Sequence, residues 1–176
     1  MVGGVRLSFV ESPVDGIIAW GFASDVPDVI DGIPTDRSEP VVAVPVVSHH
    51  IAASSIDHVV VTTSSLDRTC AAIESGLGLP LKRTREVGGG VRQGFHRSGE
   101  VIIEVVERPD LDSTSASLWG LVLVVDDLDD AVGWLGPDLV GPPRDAVQPG
   151  RRIATLRSEA GLGLPVALMS PDQRRR

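Results

Sequence analysis

Aromatic side chains are scarce, with three Trp, three Phe and no Tyr among 176 residues. Stacking of nucleobases on aromatic platforms is therefore a poor basis for function. Lysine is nearly missing, since Lys82 is the only one among 16 basic residues, against 24 acidic ones. The net charge of −8 argues against a nucleic-acid or anionic-membrane partner. The one basic run, Arg174–Arg176, reads as a solvated tail. A single cysteine, Cys70, excludes an internal disulfide and a Cys-based zinc cluster. No apolar run reaches the roughly 18 residues of a membrane-spanning helix. The N-terminus lacks the basic and apolar regions of a secretory signal, so the expected location is the cytoplasm. What is there, 42% hydrophobic and 23% charged residues, suits one soluble domain with an attachment.

The chain repeats itself. Ile56–Thr62 and Leu118–Val124 are strand-like apolar runs, each followed by a polar cap and Leu-Asp. Ser64-Ser65 and Asp126-Asp127 are N-cap signals. Leu66, Cys70, Ile73 and Leu77 match Leu128, Val132, Leu135 and Leu139 at a constant offset of 62, and each set marks one helix face. Pro80 and Pro142 keep that offset. Val87, Gly90, Arg92, Arg97 and Ser98 then match Val147, Gly150, Arg152, Arg157 and Ser158, while Val101, Ile103 and Val105 match Leu164, Val166 and Leu168. Each repeat reads as strand, helix and three strands. The first covers about 56–63, 65–77, 81–87, 91–97 and 100–107; the second about 118–125, 127–136, 143–148, 151–157 and 164–169. Gly88-Gly89-Gly90 reads as a hairpin turn, because no helix follows to make a phosphate loop. The acidic run at Asp126–Asp130 lacks the Gly and Glu of a calcium loop and reads as a helix start.

Strand alternation assigns faces. Ile56, His58, Val60 and Thr62 share one face, as do Ile102, Glu104 and Val106; Val101, Ile103 and Val105 should pack under the helix. The His58–Glu104 side then forms the concave, ligand-facing side.

Two successive βαβββ units carrying Ile56-Asp57-His58-Val59-Val60, Ser65-Leu66-Asp67 and Val101-Ile102-Ile103-Glu104-Val105-Val106 resemble the vicinal oxygen chelate superfamily. Leu121–Asp129 and Pro165-Val166-Ala167-Leu168-Met169 complete the likeness, which spans about 115 residues from Ser55 to Pro171. That group includes glyoxalase I, extradiol dioxygenases, epimerases and bleomycin-resistance proteins. The resemblance implies an α+β fold in which two tandem βαβββ modules form one curved mixed sheet. The expected organisation is a β-rich N-terminal extension over 1–50 packed on the main domain, a glyoxalase-like domain over 55–171 (repeats 55–108 and 117–171) and a basic tail over 172–176.

In metal-dependent members a divalent ion takes ligands from the first and fourth strands of both repeats. His58 and Glu104 match the first pair; the second pair falls on Gly120 and Ala167, which offer no donor. A catalytic metal commonly keeps three protein ligands, so His96, His49, His50 or a second subunit would have to complete the set. The resemblance thus implies either one ion (Zn, Ni, Mn or Fe) on the His58–Glu104 half-site or no cofactor at all. Glu104 is the candidate catalytic group. The candidate ligand-binding set is His58, Glu104, Val60, Val106, Val122, Met169 and His96. Three functions follow from it. The first is a protein binding a small oxygenated metabolite, with metal-assisted lyase, isomerase or dioxygenase chemistry. The second is a metal-free binding or resistance protein that sequesters a compound, and the third a structural subunit with a vestigial cup. The expected partners are a small-molecule ligand and a second copy in a homodimer, with no nucleic acid and no membrane.

The remaining signals read as structure. Arg92, Arg97, Arg152 and Arg157 could fork onto a carboxylate but are expected to face solvent. Trp119 and Trp134 are expected to pack inside, and Cys70 to be a buried helix residue. His49 and His50 are expected in an exposed linker. Val5–Val10, Ile17–Phe22 and Val41–Val47 are β-prone runs, and 27–40 reads as a loop.

Overall fold

The computed structural model describes residues 2–39 and 49–172. The β-prone run at Val41–Val47 and residues 173–176 of the expected tail lie outside the described residues. Contacts divide the chain into two compact units, one holding residues 15–39 and 58–120, the other 2–14, 49–57 and 121–172. None of the helices among the described residues is long and apolar enough to cross a membrane.

The first unit contains most of strand β4 (Ala53–Thr63), helix α1 (Leu66–Leu77), β5 (Arg83–Glu86), β6 (Arg92–Ser98), β7 (Val101–Glu107) and the start of β8 (Ser117–Val125). Its strands hydrogen-bond in the order β5-β6-β7-β4. β4 and β7 run parallel; β5, β6 and β7 are antiparallel neighbours. The second unit contains the rest of β8, helix α2 (Leu128–Leu135), β9 (Arg144–Asp145), β10 (Arg152–Thr155) and β11 (Val166–Met169). Its order is β9-β10-β11-β8, with β11 and β8 parallel and the other pairs antiparallel. Each half is thus the same βαβββ topology, with the first strand hydrogen-bonded in parallel to the fourth. The protein is a mixed α+β fold.

Both helices start where a side chain can satisfy the free N–H groups of the first turn. Ser65 accepts from Arg68 N, and Asp127 accepts from Asp130 N at 3.0 Å. The α1 stripe of Leu66, Cys70 and Ile73 packs on Val61, Ile103 and Val105. Leu66 and Ile73 are fully buried, each contributing about 1.5–3 kcal/mol. Gly94 on β6 leaves room for this packing, because a Cβ there would lie 2.8 Å from Cys70 Sγ. In the second unit Leu128 and Ala131 of α2 pack on Val125, Ala154 and Leu168. Helix α2 ends at Leu135, so Leu139 lies in a turn beyond it rather than on the helix face.

The segment 27–40, expected as a loop, instead holds β2 (Val29–Ile30) and β3 (Ile33–Arg37). Asp31-Gly32 is a two-residue hairpin turn with positive φ at both positions, 47° and 88°. That geometry matches the twist of paired strands and favours Asp-Gly. β3 also pairs in parallel with β1 (Trp20–Phe22). Asp31 accepts from Arg68 Nε at 2.8 Å and from Thr69 Oγ1, and so holds the hairpin on α1. Residues 6–10, expected as a strand, form none; Val5 makes only a bridge to Val2.

Both expected interior tryptophans are exposed, Trp119 at 48% and Trp134 at 57%. Trp119 alternates with buried Leu118 and Gly120 on β8. Trp134 lies off the buried stripe of α2 and stacks on His50, with ring centroids 4.8 Å apart. His49 and His50 are both exposed, as expected.

Candidate functional site

The strand register builds one face of the first unit. His58 pairs with Ile102, and Val60 with Glu104. Glu104 in turn pairs with Phe95, and Val106 with Gln93. Paired residues project to the same side of a sheet. Val61, Ile103, Val105 and Gly94 lie under α1. His58, Val60, Glu104, Val106, Gln93 and Phe95 therefore lie on the side away from α1.

His58 and Glu104 meet there, with Nε2 3.2 Å from Oε2 and side chains only 13% and 15% exposed. A carboxylate so withdrawn from water is protonated unless it is partnered. Its other oxygen, Oε1, accepts from Gln93 Nε2 at 2.8 Å. Sequence reasoning missed Gln93, although a signal existed. Gly99-Glu100 is a two-residue turn between Ser98 and Val101, and counting back from it sets Gln93 diagonal to Glu104.

The other expected site residues divide. Val60 and Val106 are on the His58 face. Val122 and Met169 belong to the second unit, where they pack with Ala167 and Ile153 on the side away from α2. His96 is a correction. It pairs with Ile103 and so lies on the α1 side, buried to 1%, with Nδ1 2.8 Å from the Leu79 carbonyl oxygen. Alternation along β6 allows either Phe95 or His96 to face Glu104, and the register selects Phe95.

The arginines also divide. Arg92 lies on the α1 side, where Nε donates to Glu107 at 2.6 Å and Nη2 to Asp67 at 3.2 Å. These bonds raise the Arg92 pKa and hold the Glu107 carboxyl below its usual range, helped by the Leu66 N–H. Arg152 donates to Asp129 and Arg157 to the Pro137 carbonyl. A pair not foreseen is Arg151–Asp57 in the second unit, 2.5 Å apart and nearly enclosed. Arg151 also donates to the Ser170 carbonyl and to Gln148.

A divalent ion in the first unit would draw on His58 and Glu104. No cluster of three His, Cys, Asp or Glu exists among the described residues, and Glu104 is already bonded to Gln93. This donor set falls short of the three-ligand arrangement of catalytic sites.

No family model matches the chain, and no curated protein matches it in sequence. Solved structures do. A methylmalonyl-CoA epimerase from Mycobacterium tuberculosis matches at 20% identity and TM-score 0.59, covering 73% of this chain and 95% of that one. A hypothetical protein from Bacillus halodurans matches at 16% identity and TM-score 0.56, covering 68% and 95%. A variant of the Streptomyces coelicolor methylmalonyl-CoA epimerase, in complex with 2-nitronate-propionyl-CoA, matches at 22% identity and TM-score 0.53, covering 67% and 97%. These matches show that the chain has the glyoxalase-like fold.

Proposed function

We propose that the protein binds a small oxygenated metabolite on the His58 face and moves a proton on it, an isomerase-type chemistry. The observation that carries this reading is the His58–Glu104 contact, with Gln93 on the second carboxylate oxygen. In the tautomer with its proton on Nε2, His58 donates to Glu104, and the basic lone pair is on Nδ1. The carboxylate orients the ring and offsets the charge the ring acquires on taking a proton, as a carboxylate does for the histidine of a catalytic triad. The pair acts as base and then as acid on a carbon next to a carbonyl, a role worth about 10²–10⁴ in rate. Apolar Val60 and Val106 flank it. The acyl thioesters bound by the structural neighbours have such a carbon, which makes acyl thioesters the first ligands to test.

A second reading, sequestration without chemistry, is favoured by Gly120 and Ala167 where the second repeat would offer donors. Thermal unfolding with a panel of small acids, ketones and acyl thioesters tests both. At least one ligand should raise Tm with occupancy, and His58→Gln should reduce the shift. A panel with no shift rejects the binding site. Stabilisation without proton exchange in D2O supports sequestration instead.

A further inference from the structure

The face that carries His58 and Glu104 also carries cations that the proton-transfer pair does not use. β5 pairs with β6 so that Arg83 lies opposite Phe95 and Arg85 opposite Gln93. Arg97, opposite Ile102, is on the same side. Glu86 pairs with Arg92 and so belongs to the α1 side, as does Glu107. Among the described residues of β5, β6 and β7, the register leaves Glu104 as the only carboxylate on the His58 face. A chain with eight more acidic than basic residues thus gathers three arginines around one carboxylate.

The three differ in what occupies them. Arg97 donates to the carbonyls of Gly99 and Glu100. Arg83 lies over the Phe95 ring, 4.8 Å from its centre. Arg85 is half-buried and forms no hydrogen bond or ion pair among the described residues. Arg92, on the other side of the same hairpin, is matched to two carboxylates. The Arg85 guanidinium keeps five donors in a fork suited to an oxyanion. Arg85 stands one strand from Gln93, about 4.8 Å, and Gln93 touches Glu104.

We infer that Arg85, flanked by Arg83, is an anion subsite that takes the carboxylate or phosphate of the ligand. The reacting carbon of that ligand then lies at the His58–Glu104 pair. This inference rests on the proton-transfer reading for what the ligand undergoes, but not for its charge. The short span from Arg85 to Glu104 suits a small acid whose charged group is a few bonds from the reacting carbon.

Calorimetric titration of the full chain tests it with four probes: malonate, coenzyme A, methylmalonyl-CoA and the neutral N-acetylcysteamine thioester of propionate. The anions should bind more tightly than the neutral thioester. Arg85→Gln should weaken anion binding at least tenfold and leave the neutral thioester unchanged. The Tm of the free variant should match wild type, because Arg85 has no internal partner to lose. Arg85→Lys should recover part of the affinity, as a charge without the fork. Loss confined to malonate and methylmalonyl-CoA assigns the subsite to a carboxylate; loss confined to coenzyme A and methylmalonyl-CoA assigns it to phosphate. Absence of anion binding, or equal affinity in Arg85→Gln, overturns the inference. Arg85-dependent binding without proton exchange keeps the subsite and removes the proton-transfer reading, whereas exchange on methylmalonyl-CoA with equal affinity in wild type and Arg85→Gln does the reverse.

Discussion

Replacing Gly94 by Ala probes the face assignment on which the candidate site depends. Helix α1 lies so close to β6 that the added Cβ would be 2.8 Å from Cys70 Sγ, 3.1 Å from Leu66 Cδ1 and 3.3 Å from Leu81 Cδ1. Real carbon contacts do not reach the first distance, so Cys70 or the helix must shift. Overpacking of this kind costs about 1–3 kcal/mol, against about 0.5–1 kcal/mol returned by removing a strand glycine. The net loss is up to about 2.5 kcal/mol, a Tm lower by up to about 10 °C for a chain of this size. Cys70→Ala removes the nearest atom. The double variant should therefore be more stable than the two single losses predict, with a coupling of about 0.5–3 kcal/mol. Urea unfolding of the four proteins, with midpoints and slopes fitted together, measures this. If Gly94→Ala is as stable as wild type and the cycle shows no coupling, Gly94 does not face α1. Gln93 and Phe95 would then lose their place beside Glu104.

Three further outcomes follow from the ion pairs and the buried thiol. Arg151→Ala leaves Asp57 enclosed without its cation, and should cost about 3–5 kcal/mol in urea unfolding; a paired apolar replacement at both positions should recover much of it. Glu107 has a lowered folded pKa, so its contribution is present above the ordinary value of 4.5 and lost as pH falls through the folded value. The Tm gap between wild type and Glu107→Gln should accordingly be full near neutrality and close on acidification. Burial, with neighbouring Asp67, pushes the Cys70 thiol up to about 11, so iodoacetamide should label it slowly in the folded protein and fully in denaturant.

Much of this architecture is legible in the amino-acid order. The helix stripes at offset 62, the caps at Ser65 and Asp127 and the alternation around His58 and Glu104 are local signals, and each repeat must bury its own apolar face. What escaped sequence reasoning depends on register or on distant partners. Asp31-Gly32 is a hairpin signal, but the strands beside it are too short to show alternation. His96 and Phe95 are adjacent, and only the turn at Gly99-Glu100 decides which one joins Glu104. Arg85 carries no mark in the sequence until two successive hairpins place it opposite Gln93. Asp57 and Arg151 are 94 residues apart, and no local pattern joins them.

In the proposed chemistry the His58–Glu104 pair itself transfers a proton on a bound ligand. Its most direct test is exchange of the α-proton of methylmalonyl-CoA in D2O, followed by proton NMR, with protein exhaustively treated with chelator and with protein reloaded with zinc, nickel, manganese or iron. Exchange should survive chelation and fall at least about 100-fold in Glu104→Gln and His58→Gln. Exchange that vanishes on chelation and returns with one metal, or that persists in both variants, contradicts it.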